Sequence, residues 1–151
     1  MVYARRPSAY KIVLADRMRL VTMPATDGYT MIEIVGNATY EVEEAGEIRL
    51  LRLALPDNLD AMEFDRLNEA LLGLIQGSER FSWVMNLSRV AYMGSSMLGM
   101  LVNVRQKVKS ERGELVLCEM SPRLLQIFRA CCLERLFNIQ KTEADALRQV
   151  Q

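Results

Sequence analysis

From about Tyr40 onward the hydrophobic residues change their spacing in a regular rhythm, first that of a strand and then that of a helix, three times in succession. The stretch IRLLRLAL, Ile48 to Leu55, is a short apolar run with Arg49 and Arg52 set through it, and the turn residues of PDNLD close it. Phe64, Leu67, Leu71 and Leu74 then recur at steps of three and four, widened by Ala70 and Ile75, which predicts an amphipathic helix from Asp60 to Gln76 ending at Gly77-Ser78. FSWVMNLSRV, Phe81 to Val90, has the aromatic and branched content of a buried strand. Met97, Leu101, Val104 and Val108 resume helical spacing, predicting a second helix from Ser96 to about Arg112 with Gly113 as its stop. ELVLCEM is the third strand, and SPRLLQIFRACCLERLF the third helix, with Ser121 as cap and Pro122 at the first helical position, where a missing N–H costs nothing. NIQKT reads as a short last strand and EADALRQVQ as a terminal helix. Parallel strands need crossover connections and helices supply them, so this order implies an α/β fold with a mostly parallel sheet and helices packed against it.

A chain of 151 residues suits one domain. The first 36 residues follow the alternation less clearly: YKIVLADRMRLVTM and YTMIEIVG read as two strands about the turn PATDG. The expected organisation is therefore an N-terminal β arm at 1–36 and a main domain at 37–151. An arm of this kind can extend an exposed sheet edge within the chain, or pair with a second copy to make a homodimer.

Composition removes several classes of function. The charge is balanced, with 19 basic and 19 acidic side chains, so nothing asks for nucleic acid. The longest run without a charge, Val90 to Val104, contains Gly94, Ser95, Ser96, Gly99 and Asn103 and is shorter than the ~20 apolar residues of a membrane span. The apolar stretch near the N-terminus is cut by Asp16, unlike a secretory signal. Three cysteines, Cys118, Cys131 and Cys132, have no paired metal spacing, and no histidine completes a zinc site, so neither a metal nor a cofactor is expected and the compartment reads as reducing cytoplasm. Without histidine the Ser-His-Asp and Cys-His routes to an activated nucleophile are closed, which points away from an enzyme.

Attention then falls on YMGSSMLGML, Tyr92 to Leu101, where two serines stand at a strand-to-helix turn. One of them can cap the helix, the ordinary use of serine there, and one can be a switch; the two roles are compatible. Adjacent cysteines 131 and 132 on a helix are read as small core hydrophobes, the scattered methionines as core filler, and the acidic run Glu41, Glu43, Glu44 and Glu47 as a solvated edge.

From Trp83 to Leu147 the sequence, together with the NLDAMEFDRL turn, resembles the STAS family, the sulphate transporter and anti-sigma factor antagonist domains, so that the resemblance covers Tyr40 to Leu147. That family's pattern is a strand ending in Asp-Leu-Ser, then Asp-Ser-Ser-Gly-Leu-Gly opening a helix, a strand, Ser-Pro, and a helix ending in small-Leu-x-x-Leu-Phe; the matching stretches here are NLS, GSSMLG and LCEMSPRLLQIFRACCLERLF. The resemblance implies a module that binds a protein partner, an anti-sigma factor or serine kinase, and is switched by phosphorylation of the serine that becomes Ser95, with Ser96 the neighbouring candidate. An added phosphate would meet the backbone N–H groups and dipole of the helix N-terminus. Gly94 stands where the pattern has Asp, Met97 where it has Gly, and Asn86 where it has the strand-ending Asp. These departures equally suit an unphosphorylated accessory subunit of a transport ATPase or a stress-signalling scaffold. A small nucleotide-binding domain is a further alternative for a parallel sheet. The expected contact surface is the loop around Asn58 to Asp60, the turn from Tyr92 to Leu98 with Gly94, Ser95, Ser96 and Met97, and the exposed face of the second helix, with Ser95 as the contact centre and Ser96 as the helix cap.

Overall fold

The computed structural model describes residues 8–14, 17–23 and 28–151. Five strands come first: β1 (Ser8–Leu14), β2 (Arg17–Met23), β3 (Thr30–Val35), β4 (Ala38–Ala45) and β5 (Ile48–Ala54). Each is antiparallel to the next. Helix α1 (Ala61–Ile75) then carries the chain across to β6 (Ser82–Arg89), α2 (Ser95–Ser110) to β7 (Glu114–Cys118), and α3 (Pro122–Ala130) with a 3-10 turn (Leu133–Arg135) to β8 (Asn138–Ile139). These three crossovers make β5, β6, β7 and β8 parallel, and α4 (Glu143–Val150) closes the chain. All eight strands lie in one mixed sheet in sequence order, parallel over the half where the alternation was read and antiparallel over the rest.

The first apolar run, expected as one strand, divides into β1 and β2, which pair from Ser8 with Met23 to Leu14 with Arg17. Of the expected PATDG turn, residues 24–27 lie outside the described residues. The division expected after residue 36 falls in the tight turn between β3 and β4. There Gly36 has φ +58°, and a Cβ would come within 2.9 Å of the Glu63 side chain, so glycine is favoured. Asn37 donates to Glu63 across 3.0 Å, tying this turn to the start of α1. Met31 and Val35 of β3 are buried with β4, β5 and α1 in the main core.

That core lies between one face of the sheet and α1, α2 and α3, and is filled by Tyr40, Leu51, Leu53, Leu67, Leu71, Trp83, Met85, Leu101 and Phe128. Phe137, just after the 3-10 turn, packs edge-on against Phe128 at 5.7 Å between ring centres. The opposite face is covered over β5 to β7 by α4, where Ala146, Leu147 and Val150 close over Leu50, Val84, Val116 and Cys118. Burial pushes the Cys118 thiol up to about 12, and the nearby Glu143 and Glu119 charges add to it, so this thiol is an inert core group.

Two local expectations are corrected. The third helix does not run on to Phe137: it ends at Ala130, Cys132 takes a left-handed conformation at φ 57°, and Cys131 and Cys132 are both exposed rather than core. The break is what turns Leu133, Leu136 and Phe137 back toward the sheet. The acidic run is only in part a solvated edge: Glu43 and Glu47 are exposed, but β4 is an interior strand. Glu41 and Glu43 pair with Arg52 at 3.3 and 3.1 Å, and Glu44 pairs with Arg49 at 2.8 Å.

Candidate functional site

The parallel strands β5 and β6 end side by side, and their exits deliver two loops to one end of the sheet. The loop after β5 leads into α1, whose start is fixed by a capping box. Asp60 accepts from the Glu63 N–H at 2.7 Å, and Glu63 accepts from the Asp60 N–H at 3.4 Å. The exit from β6 is held by Asn86, whose Oδ1 accepts from the Ser88 N–H at 2.9 Å while its amide donates to Glu143 at the start of α4. Glu143 in turn takes two bonds from Arg52, at 3.2 and 2.9 Å. Burial alone would raise the Glu143 carboxyl, but hydrogen bonds from Arg52 and Asn86 and the Arg52 charge outweigh it and hold the group below its usual range.

Between the two loops is a cleft of about 250 Å³ lined by Leu55, Pro56, Asp57, Leu59, Phe64, Tyr92, Gly94, Ser95, Ser96 and Met97. Helix α2 starts at its edge. Gly94 is the N-cap in extended conformation and has no side chain to cap with, so Ser95 and Ser96 are the first two helical residues and neither caps the helix. The expected cap role of Ser96 is thereby corrected. Both serines are exposed, and among the described residues neither hydroxyl has a hydrogen-bond partner. The first N–H groups of a sixteen-residue helix therefore open onto the cleft with no internal acceptor, which is the arrangement that receives an anion.

Five of the expected contact residues, Tyr92, Gly94, Ser95, Ser96 and Met97, line this cleft. Met97 does so from a buried position, as part of its floor rather than as an exposed contact. Leu98 is half-buried and packs against the core, Asn58 is exposed beside the cleft without lining it, and Asp60 is engaged in the capping box. Sequence reasoning missed Leu55, Pro56, Asp57 and Phe64 as site residues, and included Leu59 only as part of the loop from Asn58 to Asp60. The PDNLD turn could have flagged Asp57 and Leu59, since the loop after one parallel strand adjoins the loop after the next. Arg123 was missed as well: its guanidinium lies over the Tyr92 ring, 5.3 Å from the ring centre. Nothing in the sequence signals that contact. Among the described residues no group of acidic or cysteine side chains is arranged to hold a metal ion, and no helix is long and apolar enough to cross a membrane.

The model of the STAS domain family matches residues 39–146. The chain is 27% identical over 109 residues to the anti-sigma-B factor antagonist of Listeria monocytogenes, covering 72% of this chain and 94% of that protein. Among solved structures it is similar to an anti-sigma-factor antagonist (STAS) domain protein from Planctomyces limnophilus, with TM-score 0.64, 20% identity, and 74% of this chain and 97% of that one covered. It is also similar to an anti-sigma factor antagonist from Mycobacterium paratuberculosis, with TM-score 0.63, 23% identity, and 75% and 93% covered.

Proposed function

The chain belongs to the STAS domain family, and from that premise we propose that it is an anti-sigma factor antagonist, a cytoplasmic binding module without catalytic activity whose partner is an anti-sigma factor or serine kinase. The observation that carries this reading is the exposed Ser95–Ser96 pair at an uncapped helix N-terminus, opening on a cleft with an apolar floor. An apolar side chain of the partner fills the cleft over Leu55, Phe64 and Met97, and the neutral serine hydroxyls lie at the rim of that contact. Phosphate on Ser95 would be held by the free N–H groups of α2 and by the helix dipole. It would also bring nearly two negative charges to a cleft whose lining includes Asp57 and no cation, so an apolar partner group could no longer enter without stranding them.

Gly94 favours a second version of the reading, in which the module binds but is not phosphorylated, as in an accessory subunit of a transport ATPase or a signalling scaffold. Its backbone is ordinary extended chain, and a Cβ there would meet only the Tyr92 ring at 3.9 Å, so the absence of a carboxylate is not forced by space. Of the arm expected at residues 1–36, β3 is built into the core, and we read the strands before it as an assembly device. Support comes from β1, whose outer edge has no partner strand among the described residues and is open to a second copy.

The test is to express the serine-kinase anti-sigma factors of the source organism singly and measure their binding to the purified chain, then their transfer of phosphate from ATP. Tight binding to one of them supports the antagonist reading, and labelling confined to Ser95 supports the switched version. Binding with no labelling supports the unphosphorylated version. No binding to any of them refutes the antagonist reading.

A further inference from the structure

A second hollow, of about 280 Å³, lies beside the serine cleft and is lined by Asp57, Ala91, Tyr92 and Arg123. It shares Asp57 and Tyr92 with the first, so Tyr92 is a ridge between the two. That ring is 49% exposed, one of the few large apolar side chains left open to solvent among the described residues. Arg123 stacks on it and makes no ion pair there, and Asp57 has no ionic or hydrogen-bonded partner among the described residues. A lone exposed charge is ordinary. Here a carboxylate and a guanidinium line one hollow together with an exposed aromatic ring, and they form no ion pair with each other. This contrasts with Arg49 and Arg52, which are closed into pairs with Glu44 and with Glu41, Glu43 and Glu143.

Resting on the functional reading above, we propose that Asp57 and Arg123 are the charge pair that selects the partner. The occupant is a protein segment presenting three side chains in order across the surface: an apolar one in the Ser95 cleft, a basic one at Asp57, and an acidic one at Arg123. Tyr92 is the aromatic anchor between them, the residue type that carries most binding energy at interfaces, and it keeps its ring contact with Arg123 while the acidic group approaches from the open side. The separation of the two charges provides discrimination, since a segment with the opposite polarity would set like charges together at both positions. Ser95 then decides whether the partner binds, and Asp57 with Arg123 decides which partner binds.

Charge reversal tests this with the anti-sigma factor that binds the native chain. Asp57→Lys and Arg123→Glu are both exposed changes, so far-ultraviolet circular dichroism and thermal melting should match the native protein. Each should weaken binding at least tenfold, measured by titration calorimetry, with the loss shrinking at high salt. Glu79→Lys, an exposed change before β6, should leave affinity within twofold. A partner whose basic residue is reversed to acidic should recover at least fivefold of the affinity lost by Asp57→Lys. If native binding is tight and both reversals stay within twofold of native, this inference is overturned and the antagonist reading stands. If the native chain binds no anti-sigma factor, the functional reading fails and the inference falls with it.

Discussion

Replacing Asn86 by aspartate restores the residue that the STAS pattern has at the end of this strand, yet in this chain it should destabilise the fold. The Asn86 amide donates to Glu143, and its oxygen accepts from the Ser88 N–H. The substituted carboxylate keeps the second contact and turns the first into two carboxylates face to face. Two unit charges about 4 Å apart at an effective dielectric of about 20 repel by about 4 kcal/mol. The Glu143 side chain is 23% exposed and shares its charge with Arg52, which reduces the net loss to about 2 kcal/mol at neutral pH. The variant's pair would share a proton, so one carboxyl titrates above its unfolded value. A group with a raised folded pKa contributes stability below its unfolded value and loses it as pH rises through the folded one, so the deficit should be largest at pH 7 and smaller at pH 5. Urea denaturation at the two pH values measures both quantities. The double change Asn86→Asp with Glu143→Gln should recover more than half of the loss beyond what Glu143→Gln alone predicts. A single variant within about 0.5 kcal/mol of native at pH 7, the range of an ordinary surface substitution, or a deficit that does not change with pH, would refute the reasoning.

Gly94→Asp should be neutral or stabilising by a few tenths of a kcal/mol in urea denaturation, because the position has extended backbone, space for a Cβ and an uncapped helix behind it. Ser96→Ala should leave stability nearly unchanged, whereas Ser121→Ala, which removes the 3.2 Å bond to the Leu124 N–H, should lower it by about 1 kcal/mol; thermal melts of the pair distinguish a helical serine from a capping one. Glu143 has a lowered folded pKa, so its contribution is present above its unfolded value near ~4.3 and is lost as pH falls through the folded one. Protection factors of the α4 amides, taken against intrinsic exchange at each pH, should therefore fall as the pH is lowered below that value in the native protein and already be low at pH 7 in Glu143→Gln.

The parallel half of the fold was legible because each strand there is buried on both faces and each helix on one, so the two hydrophobic periods separate cleanly from Ile48 to Val116. The antiparallel half was less so. β4 alternates buried Tyr40 and Val42 with Glu41 and Glu43, and only the distant Arg52 shows that those acids belong inside a sheet. The break at Cys131–Cys132 was hidden because cysteine has no strong turn preference, and the left-handed Cys132 is set by the packing of Leu133 and Phe137 rather than by a local signal. At the site, the serine turn could be read from the sequence, but the choice of cap could not. Serine at either position fits a helix start, and the backbone chose Gly94. Asp57 and Arg123 meet at Tyr92 only through the tertiary fold.

The central claim, that the Ser95 turn is the surface on which an anti-sigma factor docks, is tested most directly by titrating that partner against the native chain and Ser95→Asp. A carboxylate at the first position of α2 complements the helix dipole, so the variant should melt at or slightly above the native temperature. It should bind at least thirtyfold more weakly all the same, because the charge must be desolvated at the apolar cleft. Equal affinity of the two proteins for a partner that binds the native chain tightly would contradict that claim and move the docking surface elsewhere on the molecule.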